Sequence, residues 1–401
     1  MRLTTTAAAA LALLALSAGG AGAYTLAGWQ YGDVMPQIDA RTLAMGGAGL
    51  ASADGARGAN LNPALVAKTE GIEASLSLLG VSAEEAREAP LYDSFDGIIG
   101  YNTYAWNSSL YDRYIGTVAV RLGGSYEWAP AFAVGYHPKL DMSYAYHIQY
   151  RDDEDLIDHD SYADGEGGVD AFTVSVAEEV YPDVFVGLGV DFLRGDYDVS
   201  ERDVYPSSDA DTESTESYDE VSGTQFTLGV LVEALHRVDV ALVYRSAFDL
   251  EGDYSLLPDG AEEATEGGFT YEYPDAVAVG FEYHPRNEIM TTLSFDVEYT
   301  RWSEFEDSMV DGVELDDTIE YRVGVEHQFY NKSHARFGFA YQPAYFDERT
   351  TRTAFSGGLG VDVLGVRLDI AGQIGVRQYD IDLGRCRETT TLAMATLIHR
   401  F

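Results

Sequence analysis

VFVGLGVDF, residues 184–192, puts Val184, Val186, Leu188, Val190 and Phe192 on one parity and Gly187, Gly189 and Asp191 on the other. A period of two marks a β-strand with one face in an apolar medium and the other against a polar or closely packed interior. The pattern recurs at Phe172, Val174 and Val176, and again at 226–232, 238–244, 277–283, 293–299, 321–325, 337–341, 355–361 and 366–376. The opposite parity carries Asp239, Arg245, Glu282, Asp296, Glu298, Arg322, Glu326, Arg336, Arg367, Asp369, Gln373 and Arg377. If the apolar face meets lipid, these charges line a lumen, with Arg245, Arg336, Arg367 and Arg377 as candidate luminal cations.

A soluble sandwich also alternates, so connections decide. Membrane barrel strands run about 9 to 11 residues and are joined alternately by tight turns and long loops. Tight links fall at Tyr181-Pro182-Asp183, His236-Arg237, Pro285-Arg286-Asn287, Asn331-Lys332-Ser333 and around Leu364. Long polar links fall between them, at 151–168, 200–221, 251–270, 303–316 and 344–353. With a first strand near 71–81, a second near 114–122 and a last from Thr389 to Phe401, the chain reads as an all-β, antiparallel transmembrane barrel of about fourteen strands. The terminal Phe401 matches the assembly signal that ends outer-membrane barrels, although His399 replaces the apolar residue usual two places earlier. Between 132 and 150 every even position is apolar across Pro138, which predicts one long, bent strand, the third in order.

Composition agrees with an exported barrel. The formal charge is -42, yet 28 Tyr and 41 Gly accompany it, too much aromatic content for acidic disorder. The acidic excess excludes nucleic acid as a partner. Cys386 is the single cysteine, so no intramolecular disulfide is possible. Residues 1–23 read as a signal peptide: Arg2, an apolar run from Ala7 to Leu16, and a cleavage site at Ala21-Gly22-Ala23, leaving Tyr24 as the mature terminus. Carboxylates crowd the long links, which would face outward. Asp158, Asp160 and Asp164 with Gly165 fail the spacing of a calcium loop, and a solvated acidic loop is the simpler reading.

Residues 24–69 precede the first strand and are too polar and glycine-rich to face lipid. A fourteen-stranded lumen is wide enough to leak, so the segment is expected to fill it as a plug, leaving 70–401 as the barrel. Its sequence carries a resemblance. Ala40-Arg41, Met45-Gly46-Gly47-Ala48-Gly49, Ala53-Asp54 and Asn62-Pro63-Ala64-Leu65 resemble the N-terminal hatch of the FadL/TodX family, outer-membrane transporters of long-chain fatty acids and hydrocarbons. The resemblance implies a fourteen-stranded barrel, with Gly46, Gly47, Gly49, Asn62, Pro63 and Ala64 as hatch motif. It also implies hydrophobic small molecules such as long-chain fatty acids as ligands, outer-membrane lipid and the barrel-assembly machinery as partners, and no cofactor. In that family an inward kink in the third strand opens the wall sideways, which makes Pro138 the candidate lateral gate. The hatch motif is equally similar to TraF-like and PorV-like barrels, associated with conjugation and protein secretion, and that alternative stays open here.

Catalysis finds no support. None of the eight histidines comes with a nucleophile at a readable spacing, and His137 and His284 are placed by parity near the periplasmic end. No metal-ligand motif is present. A nonspecific porin would favour an inward constriction loop over an N-terminal plug.

Overall fold

The computed structural model describes residues 31–35, 38–52, 55–121, 129–151, 156–206, 211–235, 237–286, 290–310, 312–363, 365–381 and 384–401. The expected signal peptide, Tyr24, Ala53-Asp54, His236, Asn287 and Leu364 lie outside them. Fourteen antiparallel strands close into a barrel. They are β1 (Ile72–Tyr92), β2 (Ile98–Arg121), β3 (Ala131–Asp141, continued by Tyr144–Arg151), β4 (Ile157–Tyr181) and β5 (Val184–Val204). Then come β6 (Thr212–Leu235), β7 (Val238–Arg245, continued by Phe248–Leu257), β8 (Thr265–Tyr273, continued by Ala276–Tyr283), β9 (Met290–Thr300) and β10 (Thr318–Gln328). The wall ends with β11 (His334–Pro343), β12 (Thr351–Val363), β13 (Val366–Ile381) and β14 (Gly384–Arg400). Closure pairs β14 with β1 from Arg385–Glu88 to Arg400–Glu73, so neither the first nor the last strand is left as an open edge inside a bilayer.

The alternation at 184–192 works as expected: Leu188 and Phe192 point outward, while Phe185 and Leu193 are buried. Tight turns are made at one end by residues in left-handed conformation, among them Asp183, Arg237 and Lys332. Strand lengths differ from expectation. β2, β4 and β6 run for 24, 25 and 24 residues, and the stretches 151–168, 200–221 and 251–270 are mostly strand. β1 and β2 likewise extend far beyond 71–81 and 114–122. The ladders continue past the membrane, for example from Asp160–Val204 between β4 and β5, because each backbone amide keeps a neighbouring strand as its partner. The crowded carboxylates therefore stand on protruding β-ribbons, and among the described residues loops remain at 93–97, 258–264, near 308–317 and at 344–350.

The third strand is bent, as expected, but its parity does not hold. Phe132 and Val134 face outward, whereas Leu140, Met142, Tyr144, Tyr146 and Ile148 are buried. A register shift between Pro138 and Leu140 places one extra residue in β3 opposite β4 and turns the even positions inward. The even run stayed apolar in sequence because the interior beyond the bulge is itself apolar and aromatic.

Residues 31–35, 38–52 and 55–68 pack against the inward faces of the strands. They form an extended pair (Asp33–Val34), helix α1 (Ala40–Ala44) and two 3₁₀ turns (Gly55–Asn60 and Pro63–Lys68). Contacts run from α1 to β11–β14 and from the 3₁₀ turns to β1–β6, so the segment reaches most of the ring.

Candidate functional site

Local chemistry explains how the N-terminal segment is seated. Asp39 caps α1, its carboxylate accepting from the amides of Arg41 (2.7 Å) and Thr42 (3.1 Å). Gly46 follows at φ 73°, and a Cβ there would sit 2.6 Å from the backbone of Phe339. Gly49 and Leu50 donate their amides to Asp296 of β9 at 2.7 and 3.1 Å. Asn62 is fully buried: its side-chain oxygen accepts from the Ala64 amide (3.0 Å), and its Nδ2 donates to the Leu50 carbonyl (2.9 Å). Pro63 then opens the second 3₁₀ turn, where its missing N–H costs nothing. On the wall, a Cβ on Gly187 would overlap Pro63, and one on Gly229 would overlap Asn62 Oδ1. The glycines on the inner parity of β5 and β6 are thus where the Asn62-Pro63-Ala64 stretch touches the barrel.

The luminal charges pair with each other and with this segment. Arg41 of α1 donates from Nε and Nη2 to the Glu326 carboxylate at 3.2 and 3.0 Å, and from Nη1 to the Ser52 carbonyl at 2.7 Å. Glu326 also accepts from Arg336, which reaches Asp369 at 2.7 Å, and Asp369 accepts from Arg367 at 3.2 Å. Arg245 and Arg322 hold Glu298 between them at 2.9 and 2.8 Å. Arg377 pairs with Glu388 at 2.7 Å. All four cations expected to line the lumen face inward, and each already has a carboxylate.

Sequence reasoning missed what lies above this layer. Leu140, Met142, Tyr197, Tyr218, Phe248, Phe269, Tyr271, Tyr273 and Phe305 form one buried apolar cluster with Tyr31. Burial first, then the Asp307 carboxylate 3.2 Å away, push the Tyr31 phenol upward, so it remains a donor. Between the cluster and the N-terminal segment lies a cavity of about 260 Å³ that Val34, Leu140, Phe248, Tyr273, Trp302 and Arg352 help to line. Arg352 differs from the other luminal cations. Among the described residues its partners are neutral: Gln342 (2.5 Å), Thr390 (2.8 Å) and Gln373 (3.3 Å). The signal was present in its even parity with Gln342, but 344–353 was read as loop.

The wall is broken beside this cavity. β1 and β2 pair along their whole length, but β2 and β3 pair only from Gly116–Tyr136 to Arg121–Ala131. Beyond Tyr136, β3 bends inward at Pro138, and the exposed side of its ladder is taken by the N-terminal pair, Asp33 opposite Asp141 and Val34 opposite Leu140. Arg113 of β2 spans the break, 2.7 Å from Asp141 and 3.1 Å from Ser143. His137 lies at this bend, fully buried, and not near the periplasmic end. Outside, an apolar depression of about 540 Å³, lined by Leu76, Val134 and Phe172 among others, adjoins the last β2–β3 pairs. Phe401 lies on the opposite flank of β1, its amide donating to the Ile72 carbonyl at 2.9 Å and its ring exposed.

Known structures share this architecture at low identity. A Pseudomonas aeruginosa FadL homologue aligns with a TM-score of 0.65 at 13% identity, over 92% of this chain and 99% of its own. The P. putida toluene transporter TodX gives 0.65 at 14%, over 91% and 98%. The Ralstonia pickettii toluene transporter TbuX gives 0.63 at 18%, again over 91% and 98%. At such identities the likeness establishes the fold alone. A comparison with curated protein sequences finds no match. Residues 24–354, however, match the profile of the family described as outer membrane protein transport protein (OMPP1/FadL/TodX). Fold and profile agree: the chain belongs to the FadL/TodX family of outer-membrane transporters of hydrophobic compounds, not to a family of enzymes.

Proposed function

We propose that this protein, exported by its first 23 residues and assembled through a signal ending at Phe401, takes up long-chain fatty acids or similar apolar acids and releases them sideways into the outer membrane. Residues 24–69 act as the plug that closes the direct route through the lumen. The observation that carries the reading is the early end of β2–β3 pairing, with a cavity inside it and an apolar depression outside. Each CH₂ kept from water is worth about 0.8 kcal/mol, so a long acyl chain passing from the aromatic interior to lipid avoids a cost that a watery exit would impose. Pro138 favours the bend because it cannot donate to a ladder. Arg352 supports an acid headgroup, since a carboxylate would be its only charged partner among the described residues.

The solved toluene transporters make a neutral aromatic ligand the natural rival. Uptake of oleate and of toluene in a host lacking its own transporter separates them. A charge-assisted hydrogen bond is worth about 1.5–3 kcal/mol, so Arg352→Gln should slow oleate uptake roughly ten- to a hundredfold and leave any toluene uptake unchanged. Pro138→Val should slow entry of either ligand while the barrel assembles normally. Wild-type uptake by Pro138→Val cells would remove the lateral route, and equal oleate uptake with and without Arg352 would remove the acid-specific reading.

A further inference from the structure

At the end of the wall carrying the tight turns, Asp239 of β7 and Glu282 of β8 are directly opposed in the ladder. Like charges so placed repel, and here neither carboxylate has an Arg or Lys in ion-pair contact among the described residues. Glu282 is only 6% exposed, and His284, 3.8 Å away, is its ion-pair neighbour among those residues. The cations that act on Glu282 from a distance, Arg41 and Lys68, are ion-paired with Glu326 and Glu233, so a closer cation would favour its burial in charged form.

His284 supplies a donor aimed at the pair. It stands just beyond β8, its backbone amide donating to the Arg237 carbonyl at 2.9 Å. Its Nδ1 lies 3.3 Å from Thr292 Oγ1 of β9, which turns Nε2 toward the carboxylates, 3.5 Å from Asp239 Oδ2 and 3.8 Å from Glu282 Oε1. All three ligand atoms lie within 4.8 Å of one another. Around a tetrahedral zinc ion with bonds of about 2.1 Å, donors stand roughly 3.4 Å apart, so rotamer adjustment alone closes the site.

We propose that Asp239, Glu282 and His284 bind a divalent transition metal, Zn²⁺ by preference. One imidazole and two carboxylates suit zinc, with water at the fourth position. Calcium would need about six to eight oxygens, more than the site offers. Thr292 is the outer partner that orients the ligating imidazole. The metal would tie β7 to β8 beside the Lys68–Glu233 ion pair (2.6 Å), which fastens the end of the plug segment to β6. The alternative occupant of the charge is a proton: His284 as imidazolium could neutralise the pair without metal.

Full-length protein in detergent, stripped with a chelator, decides between them by calorimetric and thermal-shift titration with Zn²⁺ near neutral pH. The expected result is one equivalent bound and a raised unfolding midpoint. His284→Ala should abolish both. Glu282→Gln should raise the metal-free midpoint by relieving repulsion and cancel the zinc-induced rise, a combination that a misfolded variant cannot produce. Thr292→Val should weaken zinc about tenfold with heat-modifiable migration intact. The proposal fails if zinc does not bind, if stoichiometry and affinity are unchanged in His284→Ala and Glu282→Gln, or if mild acid raises the midpoint fully and zinc adds nothing.

Discussion

Replacing Arg41 with alanine removes a buried ion pair between the N-terminal segment, the proposed plug, and the wall. Its guanidinium makes two bonds to Glu326 and one to the Ser52 carbonyl, and the paired side chains are only 10% and 11% exposed. Glu326 keeps Arg336, so the variant does not leave a bare buried carboxylate. Its cost therefore falls at or below the 3–5 kcal/mol typical of breaking a buried pair, about 3 kcal/mol. Since 1.4 kcal/mol is tenfold, the equilibrium between seated and unseated plug should shift toward the unseated form by roughly a hundredfold. Planar-bilayer recordings should then show frequent openings where the parent shows few, with heat-modifiable migration confirming an intact barrel. Glu326→Ala should be worse, because it takes from both Arg41 and Arg336 the carboxylate they share, and the double variant should be less than additive. Openings no more frequent in Arg41→Ala than in the parent would refute the idea that this pair holds the plug.

Deleting residues 24–69 while keeping the proposed signal peptide, residues 1–23, should yield an assembled barrel of higher ion conductance in the same bilayers; unchanged conductance would place the segment outside the current path. Thermal stability of the extracted protein should rise with salt, because screening relieves repulsion among carboxylates on the protruding ribbons, and a flat response would leave the acidity without this account. In the loop before β12, Thr350 and then the Arg349 amide hold the Asp347 carboxyl below its ordinary value. A depressed carboxyl stabilises the folded loop above its unfolded pKa and loses that contribution as pH falls through the folded one. Protease cleavage within 344–350 should therefore rise only in acid, and in Thr350→Val the rise should begin at a higher pH; identical pH profiles would count against the Asp347–Thr350 bond.

Much of this was readable along the chain. Period-two alternation at 184–192 and its repeats placed strands, because lipid and a closed interior impose opposite demands on successive side chains. Tight turns at Asp183, Arg237 and Lys332 were legible from their chemistry. Gly46, Asn62 and Pro63 stood out as residues chosen for backbone geometry, and the inward Arg245, Arg336, Arg367 and Arg377 followed from parity.

The misplaced features share one cause: alternation reports two faces without naming what lies on each. At Pro138 the even positions stay apolar while a single extra residue moves them from the lipid side to an aromatic interior. The acidic stretches from 151 to 270 alternate less sharply because water surrounds both faces above the membrane, so their long ladders looked like loops. Arg352 gained its meaning from Gln342, Thr390 and Gln373, and Arg113 from Asp141, partners separated in sequence and joined only when strands pair. The chain's local pattern set strand, turn and inward parity, since those depend on neighbours two residues away. Which inward charges neutralise one another, where β2 parts from β3 and where the cavity opens depend on register across the closed barrel, and register is a property of the assembled ring.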